Sequence, residues 1–341
     1  MHLNLECSTL EDDSKESSNG QEILARNPCP LEGFDSESII KNNSRTFPHR
    51  SWTYDLKTGI CVGDDANNCL PGFAQQPQSR QYVLAKPTKS IHCVVQKSMS
   101  RIFKTLASFL NDPLEFFLSG KDIIEDVFDR RRYGGDVWTF PSDWQHVMIV
   151  RDPIERFLSG YIHFCLAGKR GTCSRYCNNC GTDIACFIER QFKNTRIIYD
   201  KKQVDIPGNP VPHLSGKAVH MFPQTCCSVN VFEYQTCSKK YCDLNKHFNK
   251  YKFLYYNSNS TIFFNQQLGP FLRSRNVSDS ILNYIRNRMT TTRTAHSTSG
   301  FEAKQYLEEK IRSTPYLLEM MIRMFYHDYV AFNIPFPTLN K

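Results

Sequence analysis

Apolar positions along the chain form two kinds of pattern, short continuous runs and helix-like repeats. The runs "SIHCVVQ", "HVMIV" and "YKFLYY" are too short for helices and predict buried strands. Apolar residues three and four positions apart predict helices after each strand. These helices are MSRIFKTLASFL, IERFLSGYIHFCLA, IACFIERQFKNT, TIFFNQQLGPFL, SDSILNYIRNRM, FEAKQYLEEKIRS and YLLEMMIRMFYHDYVAF. Alternating strands and helices predict an α/β fold with a central parallel sheet flanked by helices.

Both ends of the chain bear on its relation to membranes. The last predicted helix is strongly apolar, but Glu319, Arg323, His327 and Asp328 interrupt it, which favours a buried core helix. The first twenty residues lack the basic and apolar regions of a signal peptide. Either the protein is cytosolic, therefore, or this sequence lacks the true amino terminus. Any membrane association would depend on an N-terminal anchor absent from this sequence.

The polar pattern also divides the chain into two segments. Residues 1–45 are rich in Ser, Asn and acidic residues without periodicity, so we expect a disordered or stem-like segment. Residues 46–341 carry all the predicted strands and helices and are expected to form one domain.

The charge balance favours an anionic partner. The net charge is +8 and the sequence pI is about 8.8, which suits nucleic acid, anionic lipid, or a sulfated or phosphorylated substrate. The basic residues are scattered, and no nucleic-acid-binding signature occurs, so we expect no nucleic-acid partner.

The cysteines indicate an oxidising compartment. Of 14 cysteines, ten lie between Cys93 and Cys242, an unusual number for a cytosolic protein without a metal site. Glycosylation sequons at Asn42, Asn259 and Asn276 agree with this interpretation. Maturation in the secretory pathway is therefore favoured over the cytosol.

Disulfides are favoured over zinc for most of these cysteines. Cys61 and Cys69 are close enough in sequence to bridge. Two clusters have spacings too irregular for a typical zinc site, so no metal is expected. Cys93 lies on a predicted buried strand and is interpreted as a packing thiol. The clusters are Cys173, Cys177, Cys180 and Cys186, and then Cys226, Cys227, Cys237 and Cys242.

Two strand-to-helix junctions carry cations and hydroxyl groups. In "CVVQKSMSR", Lys97 follows a strand, and Ser98 and Ser100 begin the next helix. Helix N-termini at the carboxyl ends of parallel strands bind anions through backbone N–H groups. A lysine among hydroxyl residues there can hold a phosphate or sulfate. A solvent-exposed lysine is the alternative.

The second junction is "VRDPIERFLSGY". Arg151 ends a strand, and Arg156 and Ser159 lie on the first turns of the following helix. An Arg151–Asp152 ion pair that caps the helix is the structural alternative. A nucleotide with an anionic group at each end would account for both junctions. No nucleoside-triphosphate P-loop or G-x-G-x-x-G motif is present, which disfavours a kinase.

The motifs "KSMS" after "CVV", "RDPIERFLSGY", "HMFPQTCC" and "TAHSTSGFEAK" resemble those of the Golgi carbohydrate sulfotransferases. The resemblance is to the chondroitin and dermatan 4-O type, in a divergent invertebrate branch, and covers residues 80–337. It implies a P-loop-like sulfotransferase fold, residence in the Golgi lumen or secretion, a carbohydrate acceptor, and 3′-phosphoadenosine 5′-phosphosulfate as donor.

The same resemblance assigns roles to the two junctions. Lys97, Ser98 and Ser100 would bind the 5′-phosphosulfate, and Arg151 and Ser159 the 3′-phosphate. Arg156 joins the donor-binding set because it lies with Arg151 and Ser159 at the second anion site. Arg101 joins it as well, and this extra arginine either aids anion binding or blocks the pocket. This chain has Gln96 where the family usually has proline, and Arg101 where it usually has threonine. The runner-up hypothesis is therefore a non-catalytic relative that binds nucleotide or sulfated glycan.

Sulfonyl transfer to a sugar hydroxyl also needs a proton acceptor and neutralisation of the leaving phosphate. Lys97 is the candidate for neutralisation. His220, in an H-x-x-P-Q element shared with the family, is the first candidate base, and His296 is the second. The resemblance makes Glu115 and Glu125 further candidates. A purely structural role for His220, and a contact of His296 with the donor phosphate, stay open.

Overall fold

A four-stranded sheet forms the centre of the protein. The computed structural model describes residues 35–44, 59–70, 82–124, 133, 135–166, 177–199, 242–291 and 301–338. The strands are β1 (Tyr82–Ala85), β2 (Ser90–Cys93), β3 (Gln145–Val150) and β4 (Tyr251–Tyr255), in the order β1-β2-β3-β4. The three strands predicted from apolar runs are confirmed, and β1 is an addition to them.

The sheet is mixed rather than wholly parallel. Strands β2, β3 and β4 run parallel, whereas β1 pairs antiparallel with β2. Only residues 86–89 connect β1 to β2, and a link this short can join only antiparallel neighbours. The α/β class with a central parallel sheet and flanking helices is confirmed, and β1 adds an antiparallel strand at one edge.

Helices follow each parallel strand, as the repeats predicted. Helix α4 continues without a break into a π-helical turn at Ile162–Leu166, and a second π-helical turn at Phe264–Leu268 joins α7 to α8. The helices are α1 (Ser36–Asn42), α2 (Ser100–Asn111), α3 (Pro113–Leu118), α4 (Pro153–Tyr161), α5 (Ile184–Tyr199), α6 (Leu244–His247), α7 (Ser260–Phe263), α8 (Gly269–Ser274), α9 (Asp279–Thr291), α10 (Ala303–Ser313) and α11 (Pro315–Ala331).

Side chains from both faces of β3 are buried in hydrophobic clusters. Val147 and Ile149 belong to a cluster with Phe103 of α2. Met148 and Val150 point to the opposite face, into a second cluster. A strand covered on both faces is apolar throughout, which is why "HVMIV" shows no polar alternation.

Helix α1 lies within the segment that the composition assigned to a stem. Ile39 is buried, and the Asn43 side chain donates to the Thr182 carbonyl at 2.7 Å and accepts from the Ile184 amide at 2.9 Å. Residues 36–42 are therefore helical within the segment that was expected to be disordered or stem-like. The wider division into residues 1–45 and 46–341 stays a prediction.

The last helix, α11, packs in the core. Leu317, Leu318 and Met321 are fully buried. Its buried Arg323 forms ion pairs at 2.8 Å with Glu319 and with Asp65. Among the residues that the structure describes, no helix has the length and apolarity to cross a membrane.

Candidate active site

The two junctions singled out by the sequence meet at one edge of the sheet. Parallel pairing places Cys93 beside Met148, so β2 and β3 end side by side. Lys97 lies four residues beyond the end of β2, and Arg151 directly follows β3. The Arg151 Nη1 donates a hydrogen bond to the Lys97 carbonyl at 2.8 Å. We call this edge, with residues 96–101 and 151–159, the donor edge.

The backbone between β2 and α2 makes a tight, strained turn. Lys97 has φ 63° and Met99 has φ 56°, both in the left-handed region. This conformation costs roughly 1–2 kcal/mol for each non-glycine residue and is frequent at functional sites. Met99 is the N-cap of α2 and supplies no side-chain hydrogen bond to the first turn. An N-terminus of this kind attracts anions through its backbone N–H groups.

Lys97 lies in an electropositive, partly buried setting. Burial, followed by the positive charges of Arg101 and Arg151, lowers the pKa of Lys97 from 10.5 to about 7. The Nζ atom lies 5.0 Å from the centre of the Phe164 ring. At neutral pH the side chain is therefore divided between its charged and neutral forms, and a nearby anion favours the charged form.

Arg151 is buried, at 7% exposure, and is held on several sides. Its Nε and Nη2 both lie 3.4 Å from Glu155 Oε2, and its guanidinium stacks 4.4 Å from the centre of the Tyr256 ring. The ion pair joins residues one helical turn apart. Glu155 is thus an acidic partner of Arg151, and the Arg151–Asp152 pair stays an alternative.

Asp152 caps α4, as the structural alternative supposed. Its Oδ1 accepts from the Glu155 amide at 2.9 Å as the N-cap of α4, and it lies 3.5 Å from Arg312 Nη2. Burial raises the pKa of the Asp152 carboxyl, against the opposing effects of the Glu155 amide and Arg312. The aspartate thus orients the helix that carries Arg156 and Ser159.

The remaining predicted donor-binding residues lie on the same two elements. Arg156 is almost fully buried, and its Nη1 lies 3.4 Å from the Gln96 carbonyl. Ser159 and Ser98 are also buried, whereas Ser100 and Arg101 are half-buried at the start of α2. Two arginines after β3 thus hold the backbone of the turn that carries Lys97. The predicted residues are brought together.

Of the candidate bases, only Glu115 lies among the residues that the structure describes. His220, His296 and Glu125 lie outside them. Glu115 follows the far end of α2, a helix about 18 Å long, and lines a cavity of about 470 Å³ with Ser108 and Asn111. Glu115 thus follows the end of α2 that is opposite to Lys97.

Comparison with known proteins identifies the family. The sulfotransferase family model matches residues 80–336. The chain belongs to this sulfotransferase family. That match covers both junctions and all four strands. No solved structure matches the chain.

Two sulfotransferases of Caenorhabditis elegans are similar to this one along most of their length. "Putative sulfotransferase vep-2" is 27% identical over 295 residues, which cover 81% of this chain and 82% of the relative. "Carbohydrate sulfotransferase chst-1" is 24% identical over 277 residues, or 77% of this chain and 78% of the relative. The likeness therefore extends over more than three quarters of this chain.

The described cysteines of this sulfotransferase are oxidised. The predicted Cys61–Cys69 bridge is confirmed. Cys177 pairs with Cys165, and Cys180 with Cys186, which confirms disulfides over zinc for these cysteines. Cys173, Cys226, Cys227 and Cys237 lie outside the described residues.

The interpretation of Cys93 as a packing thiol is wrong. Cys93 forms a disulfide with Cys242, 149 residues later in the chain. The bond ties the end of β2, four residues before Lys97, to the segment that leads into β4. Both cysteines are almost completely buried, which explains why burial alone did not distinguish a thiol from a disulfide.

Two aromatic contacts of the sulfotransferase were not predicted. Phe164 covers Lys97 from the π-helical turn after α4, and Tyr256 covers Arg151 from the end of β4. The Tyr256 amide also donates to the Val150 carbonyl at 2.7 Å. Pairing of β3 with β4 would have placed Tyr256 beside Arg151. No comparable pattern in the sequence predicts the contact between Phe164 and Lys97.

Proposed function

We propose that this sulfotransferase transfers a sulfonyl group from 3′-phosphoadenosine 5′-phosphosulfate to a hydroxyl of a carbohydrate. The observation that carries the proposal is the junction of Lys97 and Arg151 at the donor edge, joined by a 2.8 Å hydrogen bond. Two anion-binding groups on neighbouring parallel strands suit a nucleotide with anions at both ends. The similarity to a carbohydrate sulfotransferase supports a sugar acceptor.

The residues of the donor edge divide between the two ends of the donor. Lys97, Ser98 and Ser100 bind the 5′-phosphosulfate, together with the first-turn N–H groups of α2. Arg151 and Ser159 bind the 3′-phosphate. Arg101 adds positive charge near the 5′ end. Arg156 supports the Gln96 carbonyl at 3.4 Å, so we assign it to positioning this turn.

The reaction is an in-line displacement at sulfur. The acceptor oxygen bonds to sulfur while the bond from sulfur to the 5′-phosphate oxygen breaks, and the hydroxyl proton passes to a base. Lys97 in its charged form stabilises the negative charge that develops on the leaving phosphate. His220 is the proposed base and His296 the second candidate, with no metal required.

We further propose a glycosaminoglycan or glycoprotein acceptor, in the manner of the chondroitin and dermatan 4-O type, and work in the Golgi lumen or after secretion. The four disulfides among the described residues support an oxidising compartment. The motifs shared with that type support the acceptor class.

The deciding experiment is turnover of labelled donor over a panel of desulfated glycosaminoglycans and glycoprotein glycans. We expect label in at least one glycan, and position analysis of the product then tests the 4-O assignment. The other candidate is a non-catalytic relative, which Arg101 favours because it adds a cation beside Lys97. Tight binding of 3′-phosphoadenosine 5′-phosphate without turnover supports that candidate. Absence of both turnover and binding would contradict both candidate functions.

A further inference from the structure

Three Asn-x-Ser/Thr sequons lie in described parts of the chain, in three different surroundings. Attachment of an N-linked glycan uses the side-chain Nδ2 and needs space around it. The position of each Nδ2 in the folded protein therefore distinguishes the sequons. Attachment of a glycan at any of the three depends on passage through the secretory pathway and not on the proposed activity.

Asn42 is poorly suited to carry a glycan. Its Nδ2 donates to Thr182 Oγ1 at 2.8 Å, and Thr182 is buried. This bond joins α1 to the turn before α5, beside the bonds that Asn43 makes to the same turn. A sugar on Nδ2 would have to occupy the contact through which α1 docks.

Asn259 is exposed but lies at the donor edge. Its Oδ1 caps α7, accepting from the Thr261 and Ile262 amides at 3.0 and 3.2 Å. However, Asn259 is only three residues past Tyr256, whose ring stacks on Arg151. A glycan at this position would crowd the edge that a large carbohydrate acceptor has to approach.

Asn276 combines exposure with distance from the donor edge. It is exposed in the turn between α8 and α9, at φ 59°, a left-handed conformation that asparagine adopts readily. Its backbone N–H bonds to the Arg273 carbonyl at 3.0 Å. No side-chain hydrogen bond of Asn276 occurs among the described residues. Ser278, the hydroxyl residue of the sequon, is also exposed.

Arg275 fixes this turn at the opposite edge of the sheet. Its guanidinium donates to the carbonyls of Thr88, Lys89 and Asp143 at 2.7 to 3.1 Å. Thr88 and Lys89 precede β2, and Asp143 precedes β3, so these groups lie at the amino ends of the parallel strands. Lys97 and Arg151 follow the carboxyl ends of the same strands.

We propose that Asn276 carries an N-linked glycan at the sheet edge opposite the donor edge. Its Nδ2 loses one proton and bonds to the anomeric carbon of an oligosaccharide. The bond from that carbon to a lipid-linked diphosphate breaks, and the diphosphate leaves. The lipid-linked oligosaccharide is the co-reactant that the secretory pathway supplies. The glycan projects from the face that neither donor nor acceptor has to reach.

The test is site mapping on the full chain expressed with a secretory leader in animal cells. Enzymatic removal of N-glycans in ¹⁸O-labelled water marks each occupied asparagine as labelled aspartate. We expect label at Asn276 and none at Asn42, in secreted and cell-associated protein alike. Asn276→Gln and Ser278→Ala should each remove the same glycan mass, whereas Asn42→Gln should remove none. Ser278→Ala is the matched control because it keeps Asn276.

A second measurement checks the position of the glycan. Asn276→Gln should bind 3′-phosphoadenosine 5′-phosphate within about twofold of the wild type, since it lies at the opposite edge. The proposal is overturned if Asn276 carries no label in either protein fraction, if label appears at Asn42 or Asn259 but not at Asn276, or if loss of the Asn276 glycan changes ligand binding strongly. None of these outcomes depends on sulfonyl transfer.

Discussion

Lys97, Arg101 and Arg151 bring three positive charges to one end of two short strands. Arg101 and Arg151 both lower the pKa of Lys97, and Glu155 offsets part of the charge of Arg151. Repulsion among cations in a partly buried site raises the free energy of the ligand-free protein. A bound anion relieves it, so the free protein is arranged in advance for a phosphate-bearing ligand.

This arrangement predicts a pH-dependent affinity. Binding of 3′-phosphoadenosine 5′-phosphate should weaken as the pH rises through about 7, because the anion requires charged Lys97 and burial lowers its pKa to about 7. The loss should approach tenfold per pH unit above the pKa. Titration calorimetry between about pH 6 and 9 measures it.

Lys97→Arg is the control for this prediction. The guanidinium stays charged throughout this range, so the affinity of the variant should hardly change between about pH 7 and 9. Equal pH dependence in the wild type and the variant would assign the titration to another group, and the proposed role of Lys97 would be wrong.

Arg151 should distinguish ligands by their 3′ group. Arg151→Ala should weaken binding of 3′-phosphoadenosine 5′-phosphate by about 2–3 kcal/mol, the scale of a charge-assisted contact. Adenosine 5′-phosphosulfate lacks the 3′-phosphate and should lose less. Its loss should not be zero, because Arg151 also holds the Lys97 carbonyl at 2.8 Å.

Ser159→Ala is the companion variant. It should weaken only the ligand with the 3′-phosphate, by about 1 kcal/mol. Calorimetry of both ligands with both variants measures the four differences. If Arg151→Ala loses equal affinity for the two ligands, Arg151 only supports the turn that carries Lys97.

At the level of elements, the apolar pattern predicted what depends on local sequence. Three strands and all the predicted helices are present, because short apolar runs and repeats at helix period are signals that the local sequence carries. The meeting of Lys97 with Arg151 followed from the rule that parallel strands end at one edge. Strand β1 escaped prediction because its apolar run, "YVLA", is only four residues long and is followed directly by Lys86 and Pro87.

Other features depend on contacts that no local pattern encodes. Cys93 finds its partner 149 residues away, so its neighbours in sequence indicate only burial. Phe164 reaches Lys97 because α4 continues into a π-helical turn, and the sequence of such a turn resembles that of an ordinary helix. The positions of these side chains are set by the folded core.

The Cys93–Cys242 disulfide should stabilise the folded protein more than the Cys61–Cys69 disulfide does. Replacing Cys93 and Cys242 by serine opens a loop of 149 residues, whereas replacing Cys61 and Cys69 opens one of 8. Loop-closure entropy predicts a decrease in the free energy of unfolding that is about 2–3 kcal/mol larger for the first pair. Urea denaturation of the two double variants measures it, and an equal or reversed order contradicts it.

Phe164, in the π-helical turn after α4, should keep the pKa of Lys97 higher than it would be without the aromatic ring. Phe164→Leu keeps an apolar side chain but removes the ring face 5.0 Å from the ammonium, which stabilises a cation by about 0.5–1 kcal/mol. The pKa of Lys97 should fall, and the midpoint of the pH-dependent affinity should move down by about half a pH unit.

Phe192→Leu is the matched control for the turn. Phe192 is likewise partly buried and packs against the same hydrophobic cluster as Phe164. It should lower stability to a similar extent without moving the midpoint. A shift of equal size in both variants would reduce Phe164 to a packing residue.

At the scale of the whole molecule, the donor edge draws on distant parts of the chain. Residues 96–101, 151–159 and Tyr256 converge there because β2, β3 and β4 are parallel neighbours. The Cys93–Cys242 and Cys165–Cys177 disulfides each fix a cysteine close in sequence to this edge. The described residues at this edge are thus the groups that we propose for donor binding.

The base is the remaining chemical function, and His220 is its proposed source. His220→Ala should lower turnover by about two to four orders of magnitude, the usual contribution of general base catalysis. Affinity for 3′-phosphoadenosine 5′-phosphate should be unchanged, because proton transfer concerns the acceptor and not the donor.

His163→Asn is a useful comparison, since His163 lies in the π-helical turn 4.6 Å from the Phe164 ring. It should retain most of the turnover. Near-native turnover in His220→Ala, with a large loss in His296→Ala, would transfer the role to His296. A loss confined to His163→Asn would place the base in the turn that covers Lys97.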